Sequence, residues 1–120
     1  MPHLIIEYSK NLVSLEIEAC LAAANSALAA TGHFEEVDIK SRAYATTTFR
    51  VGLEATGRAF VAARLSVLSG RSLEIKQDLS QILLRTLRPY VASSIGLEIQ
   101  LSVEVFDIER QSYAKTFVEA

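Results

Sequence analysis

Three places in the chain carry residue types that could do chemistry. The first is its start, Met1-Pro2. Proline is small enough beside the initiator methionine for Met1 to be removed, leaving a secondary amine on a rigid ring. An α-amino group titrates near about 7.7–8, and burial or a nearby cation pushes it lower, so Pro2 would be a base at neutral pH. The plain alternative is a proline that only starts the chain. The second place is Arg71 in Gly70-Arg71-Ser72-Leu73-Glu74, between the end of a strand and the first turn of a helix. Loops beyond the carboxyl ends of parallel strands are where α/β ligands bind, and an Arg there can hold a carboxylate through two hydrogen bonds. Its alternative is an exposed cation paired with Glu74. The third is Lys40 with Arg42. Two residues apart on a strand they share a face, and without a ligand they would serve as charges that keep an edge strand from pairing with another sheet. His3, His33, Cys20 and Tyr44 have no partner pattern and read as core or surface residues.

Other chemistries lack their residues. There is no Gly-rich phosphate loop, no His-Glu-x-x-His, no Gly-x-Ser-x-Gly and no acidic cluster suited to a metal. One Cys makes no internal disulfide, and two His are too few for a Cys/His zinc site. The chain has 120 residues, with 12 Lys+Arg against 14 Asp+Glu and a net charge of −2. That balance argues against a nucleic-acid grip, which needs a clustered positive excess. Half of the residues are apolar and the mean hydropathy is +0.25, which excludes disorder and leaves apolar surface to bury between subunits. No apolar run approaches the length of a membrane span and no leader precedes the first strand, so a soluble cytoplasmic protein is expected.

The elements that must position these residues come in two similar halves. Ser14-Leu15-Glu16-Ile17 recurs as Ser72-Leu73-Glu74-Ile75, an offset of 58 residues, and a strand-like segment precedes and follows each copy. Residues 2–8 are apolar and β-branched enough for a buried strand. Ser14 is the expected N-cap of a helix whose stripe is Ile17, Leu21, Ala24 and Leu28, with Gly32 as its stop. A second strand is expected over 38–44. The second half opens with a strand over 59–67, broken by Gly70. Ser72 caps a helix with Ile75, Leu79, Ile82 and Leu83 inward, which Pro89 ends or kinks. Leu97, Ile99, Leu101, Val103 and Val105 then alternate with polar residues, the clearest strand in the chain. Residues 46–58 read as a linker with room for a short strand. The tail from Glu109 has no periodicity and could lie on a neighbouring subunit.

Strand, helix, strand, twice, with connections long enough to cross over, implies an α+β fold. It consists of two tandem βαβ units, about 2–45 and 59–106, forming a four-stranded sheet with two helices on one face, all within one domain of residues 1–120. At the 58-residue offset, position 2 corresponds to Phe60 and position 71 to Val13, so each half supplies a different part of one composite site.

Four stretches together resemble the tautomerase superfamily, and within it the 5-carboxymethyl-2-hydroxymuconate Δ-isomerases: Pro2-His3-Leu4-Ile5-Ile6-Glu7-Tyr8-Ser9, Leu28-Ala29-Ala30-Thr31-Gly32, Ile39-Lys40-Ser41-Arg42 and Gly70-Arg71-Ser72-Leu73-Glu74. The resemblance implies a homotrimer whose sheets face inward. It also implies cofactor-free isomerisation of an unsaturated keto or hydroxy dicarboxylic acid from aromatic catabolism. Pro2 would move the proton, Arg71 would bind a carboxylate and stabilise the dienolate, and Lys40 or Arg42 would take the second acidic end. Lys40 stands where the family usually has Arg, replacing a planar fork by a point charge, and residues 44–60 depart from the family pattern. A relative with the same amine could instead decarboxylate or hydrate an unsaturated acid. The rivals from other classes are a non-catalytic oligomeric scaffold of the same fold and a nucleic-acid-binding trimer, the latter disfavoured by the charge.

Overall fold

The computed structural model describes residues 1–92 and 94–120. Its elements are β1 (His3–Ser9), α1 (Ile17–Ala30), β2 (Lys40–Thr46), β3 (Arg58–Leu68), α2 (Leu73–Val91) and β4 (Glu98–Ile108). The strands form one sheet in the order β2-β1-β3-β4. β1 pairs parallel with β2, β3 pairs parallel with β4, and the two halves join through antiparallel β1 and β3.

Alternation along the strands explains why the helices lie where they do. In β1 Leu4 and Ile6 are buried, and in β3 so are Ala59, Val61, Ala63, Leu65 and Val67. These side chains leave one face of the sheet and meet Cys20, Ala24 and Leu28 of α1 and Leu79, Leu83, Leu87 and Val91 of α2 in a single core. In β4 the alternation is as expected, but Ile99, Leu101, Val103 and Val105 are only half-buried, because β4 is an edge strand. The opposite face is mixed. Register places Ile5, Arg42 and Arg64 side by side, and Arg64 beside Glu104. The apolar surplus is therefore not gathered there: Tyr44 and Phe106 are that face's large exposed hydrophobics, whereas Val13, Val37, Leu53, Leu73 and Ile95 are exposed elsewhere.

Several boundaries differ from expectation. Ser14 does not cap α1. Leu12 is buried and the amide of Leu15 bonds the Leu12 carbonyl at 3.2 Å, so these residues form a turn and the helix starts at Ile17 with no side-chain cap. Ser72 does cap α2, its hydroxyl accepting from the Ile75 amide at 3.2 Å. Pro89 does not end α2, which runs on to Val91; burial of Leu87 and Val91 holds the last turn despite the missing donor. Asp38 belongs to a short 3-10 turn over Glu36–Asp38, so β2 starts at Lys40. The linker holds one isolated bridge, Val51 with Glu54, in place of a strand. No helix among the described residues is long and apolar enough to cross a membrane.

Candidate functional site

Because β1 and β3 are antiparallel, the start of β1 and the ends of β3 and β4 meet at one edge of the sheet. Register makes this concrete: His3 lies beside Lys40 on one side and Ser66 on the other, and Ser66 lies beside Phe106. Four separate segments converge there: the N-terminus, the loop between α1 and β2, the β3–α2 loop, and the tail after β4. Between them is a cavity of about 350 Å³, in the size range of small-molecule sites. Met1, Phe34, Asp38, Arg71, Tyr113 and Lys115 are among the residues that line it.

Each segment is held by local chemistry. Gly32, at φ 77°, turns the chain out of α1, its amide bonding the Ala29 carbonyl at 3.2 Å. Gly70, at φ 114°, makes the turn from β3 into α2 in a conformation that side chains disfavour. That turn aims Arg71 back across the cavity. Its Nη2 donates to the His33 carbonyl at 2.9 Å, and its guanidinium lies 4.8 Å from the centroid of the Phe34 ring. Arg71 thus takes its position from the α1–β2 loop and not from Glu74. The tail is tied to the same turn, since the Arg110 amide donates to the Ser69 hydroxyl at 3.0 Å and its Nε to the Ser69 carbonyl at 3.1 Å. Further along the tail, the Lys115 ammonium donates to the Asp38 carboxylate. That hydrogen bond, with the charge behind it, holds the Asp38 carboxyl below the usual range and raises the Lys115 ammonium.

Pro2 is fully buried, and its carbonyl accepts from the Lys40 amide at 3.1 Å. Met1 covers it at the cavity wall. The terminal ammonium is pushed below its ordinary value by burial first and then by Lys40, Lys115 and Arg71, with Asp38 acting the other way. Lys40 extends its Nζ to the Asp38 carbonyl. Arg42 lies elsewhere: its Nη1 is 3.1 Å from Nδ1 of His3. Guanidinium has only donors, so that ring nitrogen accepts and His3 is neutral there; burial, Arg42, Lys40 and the N-terminus all lower its pKa. The N-terminus, Arg71 and the charge of Lys40 are therefore brought together, whereas neither Lys40 nor Arg42 lines the cavity. Cys20 is a core residue. Phe34, Asp38, Tyr113 and Lys115 were not singled out by sequence reasoning. The position of Phe34 and Asp38 between a helix stop and a strand was a usable signal, while the tail offered none.

Such an arrangement, an amine at the start of β1 facing an arginine at the mouth of a βαβ turn, sits on the fold of the tautomerase superfamily. A solved structure described as a W0 fused 4-OT wild type symmetric trimer superposes with a TM-score of 0.72 at 16% identity, covering 91% of this chain and 88% of that one. Closer likenesses narrow the class. The family model for 5-carboxymethyl-2-hydroxymuconate isomerase matches residues 2–118, and the chain belongs to that family of isomerases. It is 32% identical over 110 residues to a 5-carboxymethyl-2-hydroxymuconate Delta-isomerase of Escherichia coli, covering 91% of this chain and 86% of that protein. The crystal structure of a 5-carboxymethyl-2-hydroxymuconate isomerase from Deinococcus radiodurans R1 superposes with a TM-score of 0.89 at 29% identity, covering 96% of this chain and 88% of that one.

Proposed function

We propose that this isomerase moves a proton between two carbons of an unsaturated keto or hydroxy dicarboxylic acid of the 5-carboxymethyl-2-hydroxymuconate type, in aromatic catabolism, with Pro2 as its base. The observation that carries this reading is the convergence of the chain's N-terminus with Arg71 on one cavity. Removing Met1 takes away a wall residue and turns the buried Pro2 amide nitrogen into a free secondary amine on that wall. The positive charges of Lys40, Lys115 and Arg71 that disfavour the terminal ammonium then disfavour protonated Pro2, which keeps the base available near neutral pH.

The reaction balances within the site. The unprotonated amine takes a proton from the substrate, the electron pair spreads through the conjugated chain as a dienolate, and the same ammonium returns the proton at another carbon. Nothing is oxidised or reduced, so the cycle calls for no cofactor. Arg71 holds a carboxylate by charge-assisted hydrogen bonds and faces the developing negative charge. Lys40 acts through its charge on the amine, while Arg42 is held at His3, and neither side chain lines the cavity. The mixed open face of the sheet, with Arg64 beside Glu104, is the surface a homotrimer would bury, and the trimeric relative supports that assembly. The cytoplasm, where the initiator methionine is processed, is the matching compartment.

Intact-mass measurement should show a chain lighter by one methionine residue, and Pro2→Ala should assemble normally but lose about 10²- to 10⁴-fold of its isomerase activity, the usual share of a general base. Met1 retained on fully active protein would remove the amine from the mechanism.

A further inference from the structure

The cavity holds a cation that the reading above uses only for its distant charge and not for binding. Lys115 comes from the tail beyond β4, where Arg110 anchors the chain by two hydrogen bonds to Ser69 and Tyr113 sits half-buried on the cavity wall. Lys115 lines the same cavity as Arg71 and Met1, from a different segment of the chain. Its ammonium is held by the carboxylate of Asp38, on the α1–β2 loop. An ammonium has three donors and one acceptor oxygen of Asp38 occupies one. The remaining donors are available to a ligand in the cavity, and the Lys115 side chain is 36% exposed. Lys40 and Arg42 are less well placed for that task. Lys40 is drawn to the Asp38 carbonyl and Arg42 to His3, and neither lines the cavity. With Arg71, Arg110 and Lys115 against Asp38 and Glu35, the wall carries more positive than negative charge, which favours a dianion over a monoanion.

We propose that Lys115 is the specificity-determining cation that binds the second carboxylate of the substrate, opposite the carboxylate held by Arg71, with Asp38 as the positioning residue that fixes the ammonium at the wall. This rests on the dicarboxylate reading above and assigns the acid's second end to the tail in place of β2. The tail thereby becomes part of the site.

Binding can be measured without turnover. Calorimetry of the whole protein with adipate and with monomethyl adipate compares a dianion with a monoanion of nearly the same size. Wild type should prefer adipate by about tenfold, the value of one hydrogen bond to a charged group. Lys115→Ala should bring that preference to within about twofold, Lys115→Arg should keep most of it, and Arg71→Ala should weaken both ligands. Unchanged melting temperatures would show that the tail substitutions leave the fold intact. A Lys115→Ala protein that keeps the full preference overturns the assignment, and so does a wild type with no preference or no adipate binding. Preference that depends on Lys115 in a protein inactive on unsaturated hydroxy dicarboxylates would support the assignment and refute the isomerase substrate instead.

Discussion

Arg71 is the side chain whose loss the structure prices most directly in rate. It makes one hydrogen bond to the protein, to the His33 carbonyl at 2.9 Å, and stacks on Phe34 at 4.8 Å. Both contacts are near the surface, so replacing it should lower folding stability by about 1–2 kcal/mol, too little to unfold the chain. A hydrogen bond between charged groups contributes about 1.5–3 kcal/mol. At about 1.4 kcal/mol per decade, Arg71→Ala should therefore lower kcat/KM for an unsaturated hydroxy dicarboxylate by about 10- to 150-fold. The part due to carboxylate binding should appear in KM, and the part due to the dienolate charge in kcat. Phe34→Leu should act in the same direction but more weakly, about two- to fivefold, because it removes a stacking contact of about 0.5–1 kcal/mol while Arg71 keeps its bond to His33. Arg71→Lys should fall between them, since an ammonium keeps the charge but not the fork. Initial rates followed by ultraviolet absorbance of the conjugated acid, with thermal melts alongside, separate these effects. An Arg71→Ala enzyme that stays folded and within twofold of wild type would refute the role given to this arginine.

Three other outcomes follow from the same geometry. The base works unprotonated, so kcat/KM should rise with pH through the amine pKa and then level off. Asp38 raises the pKa of the Met1 ammonium and Lys40 lowers it, and the same charges face the Pro2 amine once Met1 is removed. Asp38→Asn should therefore move the limb to lower pH and Lys40→Met to higher pH; shifts in one common direction would contradict the charge assignment. Leu65 is fully buried at the centre of β3, and Leu65→Ala should cost about 2–5 kcal/mol, read as a lower urea midpoint at unchanged slope. His3 has a lowered pKa, so the unfolded chain binds its proton first. Stability should then decline as pH falls from the ordinary imidazole value to the lowered one and level off below it. His3→Gln should remove that decline, as urea midpoints across the range would show.

Much of the scaffold was legible because its causes are local. Alternation marks β3 and β4, a serine three residues before an amide donor caps α2, and a glycine at positive φ closes α1. The start of α1 was not legible from residue type. Ser14 suits a cap as well as Ser72 does, but burial of Leu12 turns the chain early and spends the serine outside the helix. The tail shows the limit more sharply. Its shape depends on Arg110 meeting Ser69 and Lys115 meeting Asp38, single contacts between residues far apart in sequence, and single contacts leave no period. Half of the cavity shares this origin. Residue type and place single out Pro2 and Arg71 as candidates, but Phe34 and Asp38 reach the N-terminus because β1 runs parallel to β2, and Arg71 and Lys115 because it runs antiparallel to β3.

Lys40 and Arg42 show what strand spacing does and does not decide. Two residues apart they do share a face, as alternation requires. Spacing is silent on how far each lies from the end of the sheet where the N-terminus sits. Lys40 pairs with His3 and Arg42 with Ile5, so at about 3.3 Å per residue Arg42 is some two steps, roughly 6–7 Å, further from that end. At that range the charge of Arg42 on the terminal ammonium is partly screened by water, and the guanidinium has a nearer partner in His3. A pair of basic residues that looks equivalent in sequence therefore divides in the fold: Lys40 acts on the terminal amine, and Arg42 keeps an imidazole neutral.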